Sequence, residues 1–317
     1  GSSLVGSEMC IRDSFKSTVE QYVRGTPAAL LVVEFAEDDH SENQRKLAEL
    51  EKMMAGLGYG WDKPASATGG LVCLSEPEDQ ARITEMRKSG LNIMMSMKDE
   101  AKPVSFVEDC AVELSDLAEY TDQLTQIFEK YGTTGTWYAH ASVGCLHVRP
   151  VLNMKRGEDV AAMRGIAEEA FALVKRYGGS HSGEHGDGIA RSEFNAIMFG
   201  SEMARLFTDV KRMFDPENIM NPGKITNAPK MDDRHLFRFA PGYRVDSFPT
   251  KLNWSAWPGA AGGLQGAVEM CNNNGSCRKL TGGVMCPSFR VTGNETDSTR
   301  GRANSLRLAL SGQLGAN

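Results

Sequence analysis

No run in this 317-residue chain approaches the ~18 consecutive apolar residues of a membrane-spanning helix, so none is expected. Positive charge is not in surplus either: 35 Lys and Arg against 41 Asp and Glu leave a net charge of -6. That balance gives no electrostatic reason to expect nucleic-acid or anionic-membrane binding. Seven cysteines are present but irregularly spaced, which fits a reducing compartment better than a disulfide framework. A cytoplasmic location is expected, with peripheral attachment at the inner membrane as the alternative. Histidine is scarce as well. Of six in the chain, four (His140, His147, His181 and His185) fall between positions 140 and 185.

That clustering directs attention to His140 and His147, followed by Gly183-Glu184-His185-Gly186-Asp187-Gly188. Two imidazoles and a carboxylate make a three-ligand set of the kind zinc sites use when they keep a position open, and a further imidazole stands beside them. Seven residues along a helix is roughly 10 Å, too far for one ion. Seven along one straight strand puts the rings on opposite faces. A hairpin brings them together. Thr136 to Ala141 is rich in strand formers, Val143-Gly144 serves as a two-residue turn, and Leu146 to Arg149 resumes the strand. This register sets His140 directly opposite His147 and Tyr138 opposite Arg149, on one face. The competing reading is two core histidines satisfied by backbone groups.

Periodicity outlines the rest. Residues 1–14 lack usable periodicity and any signal- or transit-peptide composition, and are expected to be a non-native leader. Ala28 to Phe35 reads as a buried strand, Ser41 to Leu57 as a helix, and Gly58 to Gly70 as a loop. Val104 to Val112 is strand-like. A helix capped by Ser115 carries Leu117, Tyr120, Leu124, Ile127 and Phe128 and stops at Gly132. A strongly amphipathic helix from Gly157 to Tyr177 follows, with Val160, Met163, Ile166, Ala170, Phe171 and Val174 on one stripe. Another spans Glu193 to Phe214. From residue 104 the order is strand, helix, strand, strand, helix, which predicts an α+β, ferredoxin-like antiparallel sheet with helices on one face. The expected organisation is a domain over 15–226, a linker over 227–260 and a mainly helical cysteine-bearing segment over 261–317. At 317 residues there is room for two domains at roughly 100–200 residues each.

Three further features carry chemistry. His181-Ser182-Gly183-Glu184-His185 matches the inverted zincin pattern H-x-x-E-H, but that motif works on a helix, and the surrounding glycines argue for a loop. In such a loop the adjacent Glu184 and His185 can diverge, one to a metal and one to a substrate. Cys271, Cys277 and Cys286-Pro287 are similar to bacterial iron–sulfur runs, with Asn274 in place of a middle cysteine. Three thiolates do not complete a Cys₄ set, so a fourth ligand lies beyond Asn317 or the ligation is unusual. Arg87, Lys102 and Arg149 are candidate cations for an acidic substrate, and arginine offers a bidentate fork to a carboxylate.

Taken together, Ala139 to Pro150, Gly183 to Gly188 and Phe214 to Lys224 resemble the C-terminal part of FAD-linked 2-hydroxy-acid dehydrogenases of the vanillyl-alcohol-oxidase type. That class includes D-lactate and D-2-hydroxyglutarate dehydrogenases and glycolate oxidase subunits. Cys271 to Lys279, Met285 to Ser288 and Ser298 to Asn304 resemble the start of the fused iron–sulfur half of its large bacterial members. The resemblance implies that His140, His147 and Glu184 bind a divalent metal, with zinc the expected ion. The metal would hold the 2-hydroxyl and carboxylate of a small 2-hydroxy acid. His185 would take the hydroxyl proton while hydride passes to flavin N5. The same resemblance places Arg87 on the substrate carboxylate and Asn221 beside FAD. It assigns Cys271, Cys277 and Cys286 to a 4Fe-4S cluster and sends electrons on to an acceptor. Relatives often carry Asn where Arg149 stands. The main FAD-binding domain would lie upstream, so this stretch alone is expected to be inactive. Two rivals use the same residues: a metal-dependent hydrolase built on His140, His147 and Glu184, and a non-catalytic metal-binding or electron-transfer module.

Overall fold

The computed structural model describes residues 16–24, 27–60, 69–95, 97, 99–245, 249–257, 263–281 and 286–315. The expected leader, much of the predicted 58–70 loop and Met285 lie outside them. The chain divides into two units, one over residues 4–96 and one over 97–317.

Among the described residues the first unit holds four helices: α1 (Lys16–Tyr22), α2 (His40–Gly56), α3 (Pro77–Lys88) and α4 (Gly90–Met95). Helix α2 begins where Asp39 accepts from the Ser41 amide at 2.9 Å, an N-cap that satisfies a donor the helix cannot. Helix α1 docks on α3, with the buried Tyr22 hydroxyl donating to Asp79. The strand expected over Ala28 to Phe35 is not formed. Leu30, Leu31, Val32 and Val33 are exposed and lie in no strand, with no ladder partner among the described residues. An apolar, β-branched run has strand propensity, but propensity without a neighbouring edge makes no sheet.

In the second unit the chain runs through β1 (Lys102–Pro103), β2 (Cys110–Ala111), α5 (Leu117–Lys130), β3 (Gly135–Thr136), β4 (Ala139–His140), β5 (Cys145–Leu146), β6 (Arg149–Leu152) and α6 (Gly157–Arg176). All pairings are antiparallel, in the orders β1-β6-β3 and β2-β5-β4. The predicted α+β architecture with an antiparallel sheet is therefore present. Of the expected strand over 104–112 only Cys110–Ala111 is formed, with β1 just ahead of it, and the chain between β1 and β2 buries Phe106, Val107, Glu108 and Asp109.

Every residue of the predicted α6 stripe is buried, joined by Ala167 and Leu173. It packs against Tyr120, Leu124 and Phe128 of α5 and against Leu146, Val148 and Leu152 from the strands, forming one core. Each such Leu, Ile or Phe side chain contributes roughly 1.5–3 kcal/mol on burial, so this shared core holds the helices over the strands.

Beyond α6 comes a short helix α7 (Gly188–Ser192), and the single helix expected over 193–214 is two: α8 (Asn195–Phe199) and α9 (Ser201–Phe214). Gly200, at φ 87°, separates the last two by leaving the helical region. Helix α9 ends at Phe214, as expected, and shows an exposed apolar stripe of Met203, Leu206, Val210 and Met213. The aperiodic segment after residue 226 is anchored: Met231 is in the core, its amide donates to Glu193 at 2.8 Å, and Arg234 donates to the Lys155 carbonyl at 2.9 Å. The cysteine-bearing segment is helical, with α10 (Gly263–Glu269), α11 (Pro287–Thr292) and α12 (Thr299–Leu310). No helix among the described residues is long and apolar enough to cross a membrane.

Candidate metal and proton-transfer site

The histidine hairpin forms, but in a different register. Ala139 pairs with Leu146 and His140 with Cys145, so His140 is not directly opposite His147. The connection is a four-residue loop: a 3₁₀ turn over Ala141–Val143, then Gly144 at φ 66°. A two-residue hairpin turn would force positive φ on Val143, which a β-branched residue resists, so glycine takes the left-handed position at the loop's end. A side chain there would also strike the Val112 carbonyl. The shift is by two residues, and strand faces alternate with period two, so both histidines stay on one face as diagonal neighbours. Their ring centroids are 4.9 Å apart and nearly perpendicular. Tyr138 moves opposite His147, stacking on it at 5.9 Å and accepting its amide at 2.6 Å. Arg149 moves opposite Thr136.

The glycine-rich loop then carries Glu184 to both rings. Its Oε1 lies 3.0 Å from His147 Nε2 and 3.2 Å from His140 Nε2. One donor each from Asp109, His147, Glu184 and His185 lie mutually within 4.8 Å, and His140 adds a fifth on the same Glu184 oxygen. His147 is 5% exposed, and neither of its ring nitrogens has a hydrogen bond of acceptable geometry. Buried imidazole nitrogens ordinarily find partners, so this one fits a ligand better than a satisfied core residue. Burial lowers its pKa, helped by the neighbouring His185 and His140, and so favours the neutral, ligating form. Tetrahedral donors at ~2.1 Å from an ion stand ~3.4 Å apart, close to the distances from Glu184 Oε1 to the two imidazole nitrogens. The Glu184 and His140 side chains are 52% and 37% exposed, which leaves one side of the site open to solvent.

Two carboxylates that the sequence reading missed hold this arrangement. Asp109 is fully buried at φ 79°. Its carboxylate accepts from the Glu184 amide at 2.9 Å on each oxygen and from the His185 amide at 2.8 Å, and its carbonyl accepts from Gly183 at 2.8 Å. With its oxygens so engaged, Asp109 acts as the loop's anchor and not as a free ligand. Burial opposes its ionisation, but these amides and Arg191 outweigh burial and lower its pKa. Gly183 has no side chain because a Cβ would crowd Asp109 and the Cys145 sulfur. Cys145, buried beside Asp109, has its thiol pushed up to about 12 by burial and the neighbouring charge. Glu108 also ionises more readily than usual: burial opposes it, and Ser105 and Arg149 prevail. The available signal was two adjacent acids inside a run from Val104 to Val112 that is apolar apart from them and Ser105.

His185 takes its place beside the cluster. Its ring stacks on His147 with centroids 4.5 Å apart, Nε2 is 3.8 Å from Glu184 Oε1, and Nδ1 is 3.4 Å from Glu108 Oε1. His181 does not join. It is fully buried, its Nε2 is 3.1 Å from Asn195 Oδ1, and it sits edge-on to Phe171. The H-x-x-E-H match is therefore not a paired ligand set.

The proposed cations are placed elsewhere. Arg149 is 14% exposed and ion-paired with buried Glu108. Lys102 lies opposite Leu152, its ammonium donating to the Met97 carbonyl and standing 3.4 Å from the Met270 sulfur. Arg87 is in the last turn of α3, in the other unit. Asn221 follows α9 at φ 48°, preceded by exposed Ile219 and Met220. Among the cysteines, Cys277 is buried, Cys271 contacts Asn273, and Cys286 accepts from the Thr299 amide at 3.0 Å.

The sequence profile of FAD linked oxidases, C-terminal domain, matches residues 10–225, and the chain belongs to that family. Over 88% of its length the chain is 34% identical to D-2-hydroxyglutarate dehydrogenase of Escherichia coli (strain K12), covering 26% of that protein. Over 96% of its length it is 30% identical to the Pseudomonas putida (strain KT2440) protein of the same name, covering 30% of it. D-lactate dehydrogenase of Archaeoglobus fulgidus is 29% identical over 66% of the chain, with 42% of that protein covered. The chain thus spans only about a quarter to a third of the D-2-hydroxyglutarate dehydrogenases it matches. The family resemblance read from the motifs is borne out.

Proposed function

We propose that this chain supplies the metal-binding and proton-accepting half of an FAD-dependent dehydrogenase that oxidises a small D-2-hydroxy acid to the 2-oxo acid. The observation that carries the reading is the convergence of His140, His147 and Glu184 on one point, with His185 alongside. His140, His147 and Glu184 are the proposed ligands of a divalent ion, with zinc favoured by the donor set. Bound there, the ion supplies Lewis acidity that makes a hydroxyl more acidic, while the flavin of the whole protein supplies the hydride acceptor.

The chain's own residues do the remainder. Glu184 and the two imidazoles fix where the 2-hydroxyl and carboxylate bind. Tyr138 stacks on His147 and steadies that ring. His185 accepts the hydroxyl proton at Nε2, the nitrogen on the cluster side, and a neutral imidazole is suited to that task near pH 7. Arg87, Arg149 and Lys102 remain the candidate cations for the acidic substrate. The exposed apolar stripe of α9 and the adjoining Asn221 turn suit the side that meets the flavin-bearing part. Cys271, Cys277 and Cys286 are proposed as part of a 4Fe-4S site that passes electrons to an acceptor, supported by the amide donor at Cys286 and by Arg300 near Cys271 and Cys277.

The test is a screen of the full-length protein with D-2-hydroxyglutarate, D-lactate and glycolate and an artificial electron acceptor. Oxidation of one of them that falls on chelation and returns with zinc supports the reading. Ester or peptide hydrolysis without flavin reduction overturns it in favour of the metal-dependent hydrolase.

A further inference from the structure

Glu108 is a buried carboxylate with three partners, one of them Ser105, through a side-chain hydrogen bond. One oxygen takes the Nε hydrogen of Arg149, and the other lies 3.4 Å from Nδ1 of His185. The residue is itself held: Arg191 donates to its carbonyl at 2.6 Å, and Asp109, next in sequence, holds the His185 amide at 2.8 Å. The backbone and the ring of His185 are thus gripped by adjacent residues of one segment. Stacking on His147, with planes 13° apart, resists ring rotation. A carboxylate accepts hydrogen bonds and donates none, so its neighbour at Nδ1 must carry the hydrogen for the contact to be favourable. In a neutral imidazole that leaves Nε2 with the lone pair. Arg149 keeps Glu108 charged and fixes its orientation.

We propose that Glu108 is a positioning residue that fixes His185 in the tautomer protonated at Nδ1, so that the lone pair of Nε2 faces the metal cluster. The inference rests on the reading of His185 as proton acceptor and deepens it: an imidazole in the other tautomer would present N–H to the substrate hydroxyl and accept nothing. The logic is that of a carboxylate orienting the histidine of a catalytic triad. Glu108 touches no reacting atom in this role, and Arg149 becomes its clamp.

The experiment is nitrogen-15 NMR of the whole chain with only histidine labelled, at pH ~8 where imidazoles are neutral. With six histidines the spectrum is small, and the His185 signals are those lost in His185→Gln. The expected result is Nδ1 protonated in the parent chain, with the population moving to the Nε2-protonated form in Glu108→Ala. Because Glu108→Ala leaves Arg149 buried without its carboxylate, Glu108→Ala/Arg149→Met, which removes both charges, is the second variant. A native amide spectrum with the Nε2-protonated form is expected there as well. Nε2 protonated in the parent, or Nδ1 protonation retained in a folded variant lacking Glu108, overturns the proposal. The measurement needs no flavin or substrate. A full-length protein that fails to oxidise hydroxy acids refutes the function alone, and an unchanged tautomer in an active enzyme refutes this inference alone.

Discussion

Oε1 of Glu184, on a glycine-rich loop, lies 3.0 Å from Nε2 of His147, on the far side of a hairpin. Neither local segment places them there. Asp109 does, by holding the Glu184 and His185 amides from beneath. The arrangement separates two duties within one dipeptide: Glu184 turns toward His140 and His147, and His185 turns toward Glu108.

That division predicts that ligation and proton transfer are separable. In the full-length protein His185→Ala should lower kcat by about 10²–10⁴ with zinc content unchanged, the range for removing a general base. Steady-state kinetics with metal analysis of the same preparation checks this, and turnover at the parent rate would remove His185 from the mechanism.

Asp109→Asn replaces an acceptor of three amide contacts with a group that is half donor. Hydrogen bonds to a charged group contribute ~1.5–3 kcal/mol, so a loss of about 2–4 kcal/mol in urea unfolding is expected. Zinc affinity should fall by about 10–100-fold although no proposed ligand has changed, as for other residues that orient ligands.

His181 should behave as core. Its ring is fully buried between Asn195 and Phe171, so His181→Ala should cost about 2–4 kcal/mol in stability through the cavity and the orphaned amide. Zinc affinity of the folded variant should equal that of the parent. Loss of zinc without loss of stability would revive the zincin-type reading.

Glu193 predicts an acid-sensitive contact outside the proposed ligand set. Burial raises its pKa, but hydrogen bonds from Arg164 and the Met231 amide outweigh burial, and the net shift is downward. A lowered folded-state pKa means that the pair stabilises the fold above the unfolded value of ~4.3 and that this is lost as pH falls through the folded value. Glu193→Gln should therefore be less stable than the parent at pH 7 by about 1–2 kcal/mol, with the two converging toward pH 3. Urea titrations at both values check it.

Much of this was legible in the sequence. Helix α6 was, because its apolar stripe is strong and local, and every predicted position is buried. The glycine loop was, because four glycines near Glu184 exclude a helix. The hairpin register was not: the two-residue turn ignored what Val143 must adopt, yet the error of two residues preserved the face on which both histidines sit. The fate of Arg149 was not legible either, since its partner Glu108 lies 41 residues away in sequence and only the fold joins them. Asp109 was hidden for the same reason. The strand expected at 28–35 had the right residues, but pairing depends on an edge that no single segment specifies.

The most direct test of the account is zinc binding to this chain measured by titration calorimetry, with Glu184→Gln and His147→Ala as variants. One ion per chain, bound at least 100-fold more weakly by either variant while both stay folded, is the predicted result. Equal affinity in parent and variants, or no binding by the folded parent, would contradict the assignment of His140, His147 and Glu184 as a metal site.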